Sequence, residues 1–576
     1  MRHGPRLVAA IALGCLVVAL AALIGGARLP RAGAARPDRA SARSALNDHY
    51  QVVVVGASPE GIAAAISAAR AGAETLLLDT APEPGGLITR GWLNQFDLNC
   101  LPDGSPAIRG FFAEIVAELG GDSFDLRRAR QVFARLLAGQ PHLTVALGLA
   151  GFSPAATGPV VTGLDILPGE PGATLPAEEG RRRITAERFI DATPDAAFAA
   201  AAGARFTVGR QDLGLGRGTM AATLVFRVRG VDWPAVRQAL RDDGDPLTGS
   251  TPRSAWGFGE LGRGFASPDP SLRLRGLNLG REENGDVLIN SLLLFGVDPL
   301  DPASVARARA RGVAALPGVV DYLRARVPGF GAATLAGAAP ELYVRESRHL
   351  ESLYRLTIDD VLEHRDFPDK IVLASYPVDL QPYSPGDLGQ VVGSPRAYTI
   401  PFRALVPKGF DNLLVAGRSA GYDALAQGSA RVLPVGMAEG QAAGLAAAQS
   451  LVEGLTFPEL ATTAVDRLQE RLRQTGAYLP PVSAVLPADL RASEVRLEHD
   501  PAYPAVRLLR RLGLLSGGYD NDYRLDEPLT PAAAGALARE AFRRTGRREA
   551  APGFAGTELS RRLVYERLLL QLTHAS

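Results

Sequence analysis

Lysine, cysteine and charge of one sign are all scarce in this 576-residue chain. Only Lys370 and Lys408 are lysines among 62 basic side chains. Arginine supplies the rest, and in so Ala-rich a chain this reads as codon bias from a GC-rich genome rather than function. Sixty-two basic against 61 acidic side chains leave a formal net charge of +1. Nucleic-acid binders carry a strongly basic domain or stripe, so no nucleic-acid partner is expected. The two cysteines, Cys15 and Cys100, build neither a disulfide framework, a four-cysteine zinc site nor an iron–sulfur cluster, and neither sits in a CxxC pair. Seven histidines show no HExxH spacing, and no metal is expected. What is present is bulk: 47% hydrophobic and 21% charged residues exclude a disordered chain. The length would suit three or four domains of about 150 residues.

One long apolar run stands out. Leu7–Ala27 is free of charge, follows Arg2 and Arg6, and precedes the small residues Ala32-Gly33-Ala34. It fits a secretory signal and is just long enough to span a bilayer. Arg28, Arg31, Arg36, Arg39 and Arg43 follow, which opposes their translocation by an uncleaved anchor. Export is expected by either route, so the protein lies outside the cytoplasm, released or membrane-anchored through this segment alone. Residues 1–34 hold four arginines and no acid, so cleavage there would leave a formal charge of −3.

Gln51–Val55 reads as a buried parallel strand. It runs into Gly56-Ala57-Ser58-Pro59-Glu60-Gly61, then an Ala-rich helix stopped by Gly72, then the apolar run Thr75–Leu78 ending in Asp79. Strand, glycine turn, helix, strand and acid form the context of a dinucleotide site. Gly56 permits the turn, Gly61 lets helix and strand pack closely, and the helix N-terminus offers amides to a pyrophosphate. Asp79 is spaced to hold a ribose. Ser58 replaces the usual middle glycine. Pro84-Gly85-Gly86 follows, and downstream lie the strand-turn Leu413–Arg418, Arg431-Val432-Leu433-Pro434, and the small-residue segment Gly436–Gly444.

The segments VVVVGASPEGIAAAISAARAG, GGLITRG, RFIDATPDAAFAAAAGARFTVGR, YVRESRHL, YTIPFRALVPKGFDNLLVAGRSAG and GSARVLPVGMAEGQAAG, in order over roughly residues 48–453, resemble the FAD-dependent oxidoreductases related to the flavin part of the heterodisulfide reductase A subunit. The resemblance implies an α/β fold: a two-dinucleotide-binding, Rossmann-like FAD domain interrupted by an α+β substrate domain. It implies FAD held by Gly56, Ser58, Gly61, Asp79, Gly85, Gly86, Asp191, Gly417, Arg418, Gly440, Gln441 and Gly444. The N-terminus of the Gly436–Gly444 helix would approach the flavin, where its positive end stabilises negative charge. Pro194 stands where the family usually has glycine.

Between the two halves, Ala222–Arg229, Leu272–Leu277 and Val287–Leu292 read as antiparallel strands, while 303–327 and 345–363 carry a helical period. Arg345 and Arg348, in the segment matching the family's Arg-Glu-Ser-Arg, are candidate catalytic residues that could hold a carboxylate or polarise a carbonyl. The alternative is an ion-pair cluster fixing a domain interface. Tyr376 is the third candidate. Asp379, His349 and Tyr422 are weaker proton donors or acceptors, and Gln381 replaces a histidine often found in the family.

The expected organisation is signal or anchor over 1–35, linker 36–48, FAD domain 49–205 and 401–455, substrate domain 206–400, and a helical C-terminal region 456–576. Pro480-Pro481 reads as a linker. Residues 499–542 resemble one degenerate S-layer homology repeat, implying either weak cell-wall contact or a packing appendage. The leading expectation is an exported FAD-dependent oxidoreductase. It would pass hydride from a small organic substrate to flavin N5, with dioxygen, a quinone or a protein reoxidising it. A non-catalytic cell-surface protein that retains the fold is the alternative, and an NAD-only dehydrogenase stands third.

Overall fold

A computed structural model describes residues 46–167, 169, 180–489, 497–547, 554 and 559–573. The run 7–27 lies outside them. Among the described residues no helix is long and apolar enough to cross a membrane.

The apolar, β-branched segment His49–Val55 forms β1, with Val52 to Val55 fully buried. Helix α1 (Pro59–Arg70) returns the chain to β2 (Thr75–Leu78), which pairs parallel with β1. Strand β3 (Leu143–Ala146) adds to β2 in parallel, and β6 (Arg182–Asp191) to the other side of β1. Strands β4 (Gly151–Thr157) and β5 (Val160–Leu167) are an antiparallel hairpin on the start of β6. Far later, β7 (Leu413–Val415) pairs parallel with the end of β6. Five parallel strands with β-branched runs buried on both faces are thus the frame, and their carboxyl ends lie on one edge.

Between β6 and β7 the chain builds a second, six-stranded antiparallel sheet, in the order Thr334–Ala338, Ala222–Arg229, Val287–Leu294, Leu272–Arg281, Ser254–Gly257, Gly249–Ser250. The amphipathic helix α2 (Pro302–Arg326) covers it, burying Leu316, Val319, Val320 and Leu323 over a core separate from that of the parallel sheet. The three expected strands and the 303–327 helix are present. The helix expected over 345–363 is not. Arg348–Leu350 is extended and pairs antiparallel with Phe206–Val208, and only Ile358–Leu362 is helical, started by a Thr357–Asp360 capping box. Glu346, Ser347 and His349 are buried, so the segment is a polar core strand rather than an amphipathic surface helix.

Helix α3 (Leu433–Glu453) packs along α1. It begins three residues before Gly436, so Gly436–Gly444 is helix interior rather than helix start. Pro480 is not a free linker either: Lys370 Nζ donates to its carbonyl at 3.0 Å and Leu479 is buried. The C-terminal helices, among them α4 (Tyr503–Arg511), have their own small core. They dock on the body through Arg510, 2% exposed, whose guanidinium donates to Asp359 and Glu363.

Candidate active site

The glycine turn after β1 does what its sequence requires. Gly56 has φ +102°, and a Cβ there would lie 2.7 Å from the backbone of Ala192. A Cβ on Gly61 would lie 1.8 Å from the Gly56 carbonyl oxygen, so α1 and β1 meet with no room for a side chain. Ser58 caps α1: its Oγ accepts from Gly61 N–H at 3.2 Å and donates to the Ala192 carbonyl at 2.9 Å. Asp79, at the end of β2, accepts from Ala57 N–H at 2.7 Å and Ala81 N–H at 2.8 Å. Gly85 and Gly86, both at positive φ, bring the next loop onto Ser58, and Gly85 N–H donates to the Ala57 carbonyl at 2.8 Å. Gly417, φ +96°, turns the chain after β7 on the same edge.

The expected cofactor residues divide in two. Ser58, Gly417 and Arg418 line a cleft of about 50 Å³ with Glu60, Leu87 and Thr193, while Gly56, Gly61, Asp79, Gly85 and Gly86 frame the turns beside it. The others are held elsewhere. A Cβ on Gly440 would lie 2.1 Å from the Glu60 carbonyl oxygen, and one on Gly444 2.2 Å from that of Ala64, so both glycines let α3 press on α1. Gln441 accepts from Phe111 N–H and donates to Thr475 Oγ1 at 2.9 Å. Asp191 is fully buried, accepts from Thr193 N–H, Thr193 Oγ1 and Ala199 N–H, and burial pushes its pKa up to about 6. Arg418 pairs with Asp195 at 2.6 Å.

Two carboxyls had no signature in the sequence: Glu60 on the cleft and Glu439 buried behind Gly417. The Glu60 side chain lies against Gly417 and Gly436, where a Cβ would meet its Cγ at 3.2 and 2.5 Å. Glu439 is wholly buried; its Oε2 accepts from Gly417 N–H at 2.8 Å and its Oε1 has no partner among the described residues. Burial raises the pKa of both, and the neighbouring Glu60 raises that of Glu439 further.

Beyond the cleft lies a polar cavity of about 300 Å³, and Tyr343, Arg345 and Arg431 line both. This cavity adjoins an outer chamber of about 450 Å³, with Asp97, Trp256, Asn278, Tyr376 and Tyr519 on both. Arg431 Nη2 meets Asp379 at 3.2 Å and Arg431 Nη1 donates to Tyr343 Oη at 3.0 Å. Burial works against the Arg431 charge, but Tyr343 and Asp379 hold its pKa above the ordinary value. Asp97 is exposed on the wall that the cavity shares with the outer chamber; desolvation raises its pKa, while Arg431 and a hydrogen bond from Tyr376 oppose the rise. Burial, with Asp97 and Asp379 beside it, drives the Tyr376 hydroxyl well above its usual pKa.

Of the three catalytic candidates, the fold therefore brings Arg345 and Tyr376 to the cavity. Arg348 points elsewhere, donating to the Asp195 carbonyl at 2.7 Å with its guanidinium over Phe206. His349 is buried against Glu346 at 3.3 Å and Tyr422 is buried, neither lining the cavity. Gln381 lines it, donating to Asp379 at 2.8 Å. Asp97, Arg275 and Trp256 were missed because each comes from a different stretch of chain with no local pattern.

A parallel sheet whose carboxyl edge carries a glycine turn, a capped helix N-terminus and an acid at the next strand end defines a dinucleotide-binding fold. The family is shown by the sequence as a whole: residues 51–472 match the FAD dependent oxidoreductase family, and the chain belongs to it. It is an FAD-dependent oxidoreductase. The opine oxidase A chain of Agrobacterium tumefaciens (strain Ach5) is 49% identical over 45 residues, 8% of this chain and 9% of that protein. The alpha chain of sarcosine oxidase from Corynebacterium sp. (strain U-96) is 49% identical over 49 residues, 8% of this chain and 5% of that protein. The chain thus spans under a tenth of the length of these curated relatives. A geranylgeranyl bacteriochlorophyll reductase-like protein of Thermoplasma acidophilum is similar at 14% identity and a TM-score of 0.36, over 81% of this chain and 99% of that one.

Proposed function

We propose that this is an exported enzyme that oxidises a small organic molecule in the polar cavity. One observation carries the reading: the cleft beside the glycine turn and the cavity share a wall made of Tyr343, Arg345 and Arg431. A substrate there would lie against whatever occupies the cleft. Bound FAD supplies the two-electron acceptor.

The residues present fit that cofactor in most respects. The α1 N-terminus, Gly56 and Gly61 would hold the pyrophosphate, Asp79 the ribose, and the Gly85-Gly86 loop the flavin side. Glu60 is the discordant group, because an ionised carboxyl beside a pyrophosphate is repulsive. Burial raises the Glu60 pKa, and in its protonated form the carboxyl would not repel the pyrophosphate. In the cavity, Tyr343 and Arg345 bound the reacting end. Asp97 is the group placed to take a substrate proton, with Tyr376 hydrogen-bonded to it and orienting it.

The quoted motifs support placing the chain with relatives of the heterodisulfide reductase A flavin part, acting outside the cytoplasm behind the 7–27 segment. For residues 499–542 the contacts of Arg510 with Asp359 and Glu363 support a packing role over contact with a cell wall. A protein comprising residues 36–576, purified and incubated with FAD, tests the reading by its visible spectrum. Uptake of a yellow chromophore that a substrate bleaches is the expected result; a colourless protein refutes it. The rival, a non-catalytic surface protein, is favoured by the Glu60 carboxyl in the cleft. It predicts bound flavin that no donor reduces.

A further inference from the structure

Arg345 and Arg510 are the largest fully buried side chains among the described residues, and of the two Arg345 has no counter-ion there. Its Nη1 donates to the Ala221 carbonyl at 3.1 Å and Thr223 Oγ1 at 2.7 Å, its Nη2 to Asn290 Oδ1 at 3.5 Å, all neutral acceptors. Its guanidinium lies 4.0 Å from the Tyr343 ring. Arg275, on the same cavity, donates to Gln381 Oε1 at 2.8 Å, and its Nε is buried with no acceptor among the described residues. Among the described residues no carboxylate comes within ion-pair distance of either arginine; Arg431 has Asp379, but its Nε too is buried and unmet.

Buried charges are as a rule paired, because desolvation of a lone ion costs several kcal/mol. Here three guanidiniums face two carboxyls, Asp97 and Asp379, so at least one positive charge is uncompensated. The strain registers on Arg345 itself: burial, with Arg275 and Arg431 beside it, pushes its pKa down to about 9. The cavity of about 300 Å³ has room for a small molecule, and any larger part of a ligand would extend into the adjoining outer chamber.

We propose that the cavity takes a small carboxylic acid, its carboxylate held between Arg275 and Arg345 and its hydroxyl or amino group directed to Asp97 and Tyr376. The inference rests on the cavity being the substrate site of the proposed oxidoreductase, and names the substrate's class. Guanidinium–carboxylate pairs are the strong, geometrically specific contacts available to a buried arginine, and the ligand supplies the anion that the fold withholds.

Lactate, proline and glucuronate, each beside its primary amide, are titrated into the FAD-loaded and FAD-free full protein while melting temperature is followed. At least one acid is expected to stabilise the protein and to bind at least tenfold more tightly than its amide. Arg345→Met is expected to remove that stabilisation while raising the melting temperature of the ligand-free protein, since it deletes an unpaired buried charge. A merely structural arginine gives the opposite sign, a lower ligand-free melting temperature, and Arg275→Met serves as the second variant. Acids that bind no better than amides to FAD-loaded protein overturn the inference and leave the cofactor reading standing. Carboxylate stabilisation of a protein that takes up no FAD keeps the inference and removes the cofactor reading.

Discussion

Gly440 and Gly444 let two helices touch backbone to backbone, and one methyl group tests this. In Gly440→Ala the new Cβ would lie 2.1 Å from the Glu60 carbonyl oxygen, and in Gly444→Ala 2.2 Å from that of Ala64. No side chain can swing away, because the obstacle is main chain. Overpacking of this kind costs about 1–3 kcal/mol or more, and backbone obstruction puts these sites at about 3. Replacing helical glycine by alanine returns about 1 kcal/mol of propensity, leaving a net loss of about 2. At about 2–4 °C per kcal/mol for a cooperative unit of this size, Gly440→Ala should melt about 4–8 °C below the parent. Gly318 in α2 is the control: a Cβ there meets nothing within 4 Å, so Gly318→Ala should gain up to about 1 kcal/mol. Differential scanning fluorimetry of the three variants, with urea midpoints at 25 °C, makes the comparison. If Gly440→Ala melts as high as Gly318→Ala, the close packing of α1 on α3 is wrong.

Burial raises the Glu60 and Glu439 pKa values, so the pair carries protons at low pH and gains negative charge as pH rises. FAD affinity should therefore fall with rising pH, opposed by Arg418 on the same cleft, and Glu60→Gln should flatten the profile measured by flavin fluorescence quenching. His364 Nε2 accepts from Arg396 N–H at 3.0 Å, and burial lowers its pKa to about 4. The depressed value means that its contribution is complete above the unfolded pKa of about 6.5 and is lost as pH falls towards 4. His364→Asn, which suits φ +57°, should thus spare about 2 kcal/mol of the parent's loss at about pH 5 in urea titrations. A chain ending at residue 489 lacks Arg510 and Tyr519; it should keep its flavin, melt lower, and bind cavity ligands more weakly by calorimetry.

The β1–turn–α1–β2 unit was legible because everything that shapes it is local: β-branched strand, glycine turn, serine cap, acid. The antiparallel strands were legible from alternation for the same reason. Residues 345–363 were misread because Glu346, Ser347 and His349 mimic a helix's polar face, whereas all three are buried and Arg348–Leu350 pairs with Phe206–Val208, more than a hundred residues earlier. Gly440 and Gly444 looked like ligand-facing glycines, since a sequence does not tell close approach to a cofactor from close approach to another helix. Asp97, Arg275 and Arg431 meet only through the tertiary fold, and no periodicity could join them. Nor could it show that Arg345 has only neutral acceptors among the described residues.

The cofactor cleft is closed by α1, made early, and α3, made late. On the ribosome or in a translocation pore, the first wall waits for the second, and no shorter chain has a cleft to fill. The wall of the cleft is complete only once Leu433, at the start of α3, has emerged. Were the chain exported as proposed, this would fix geography as well as timing: FAD would be needed in whichever compartment α3 folds, either in the cytoplasm before passage or outside after it.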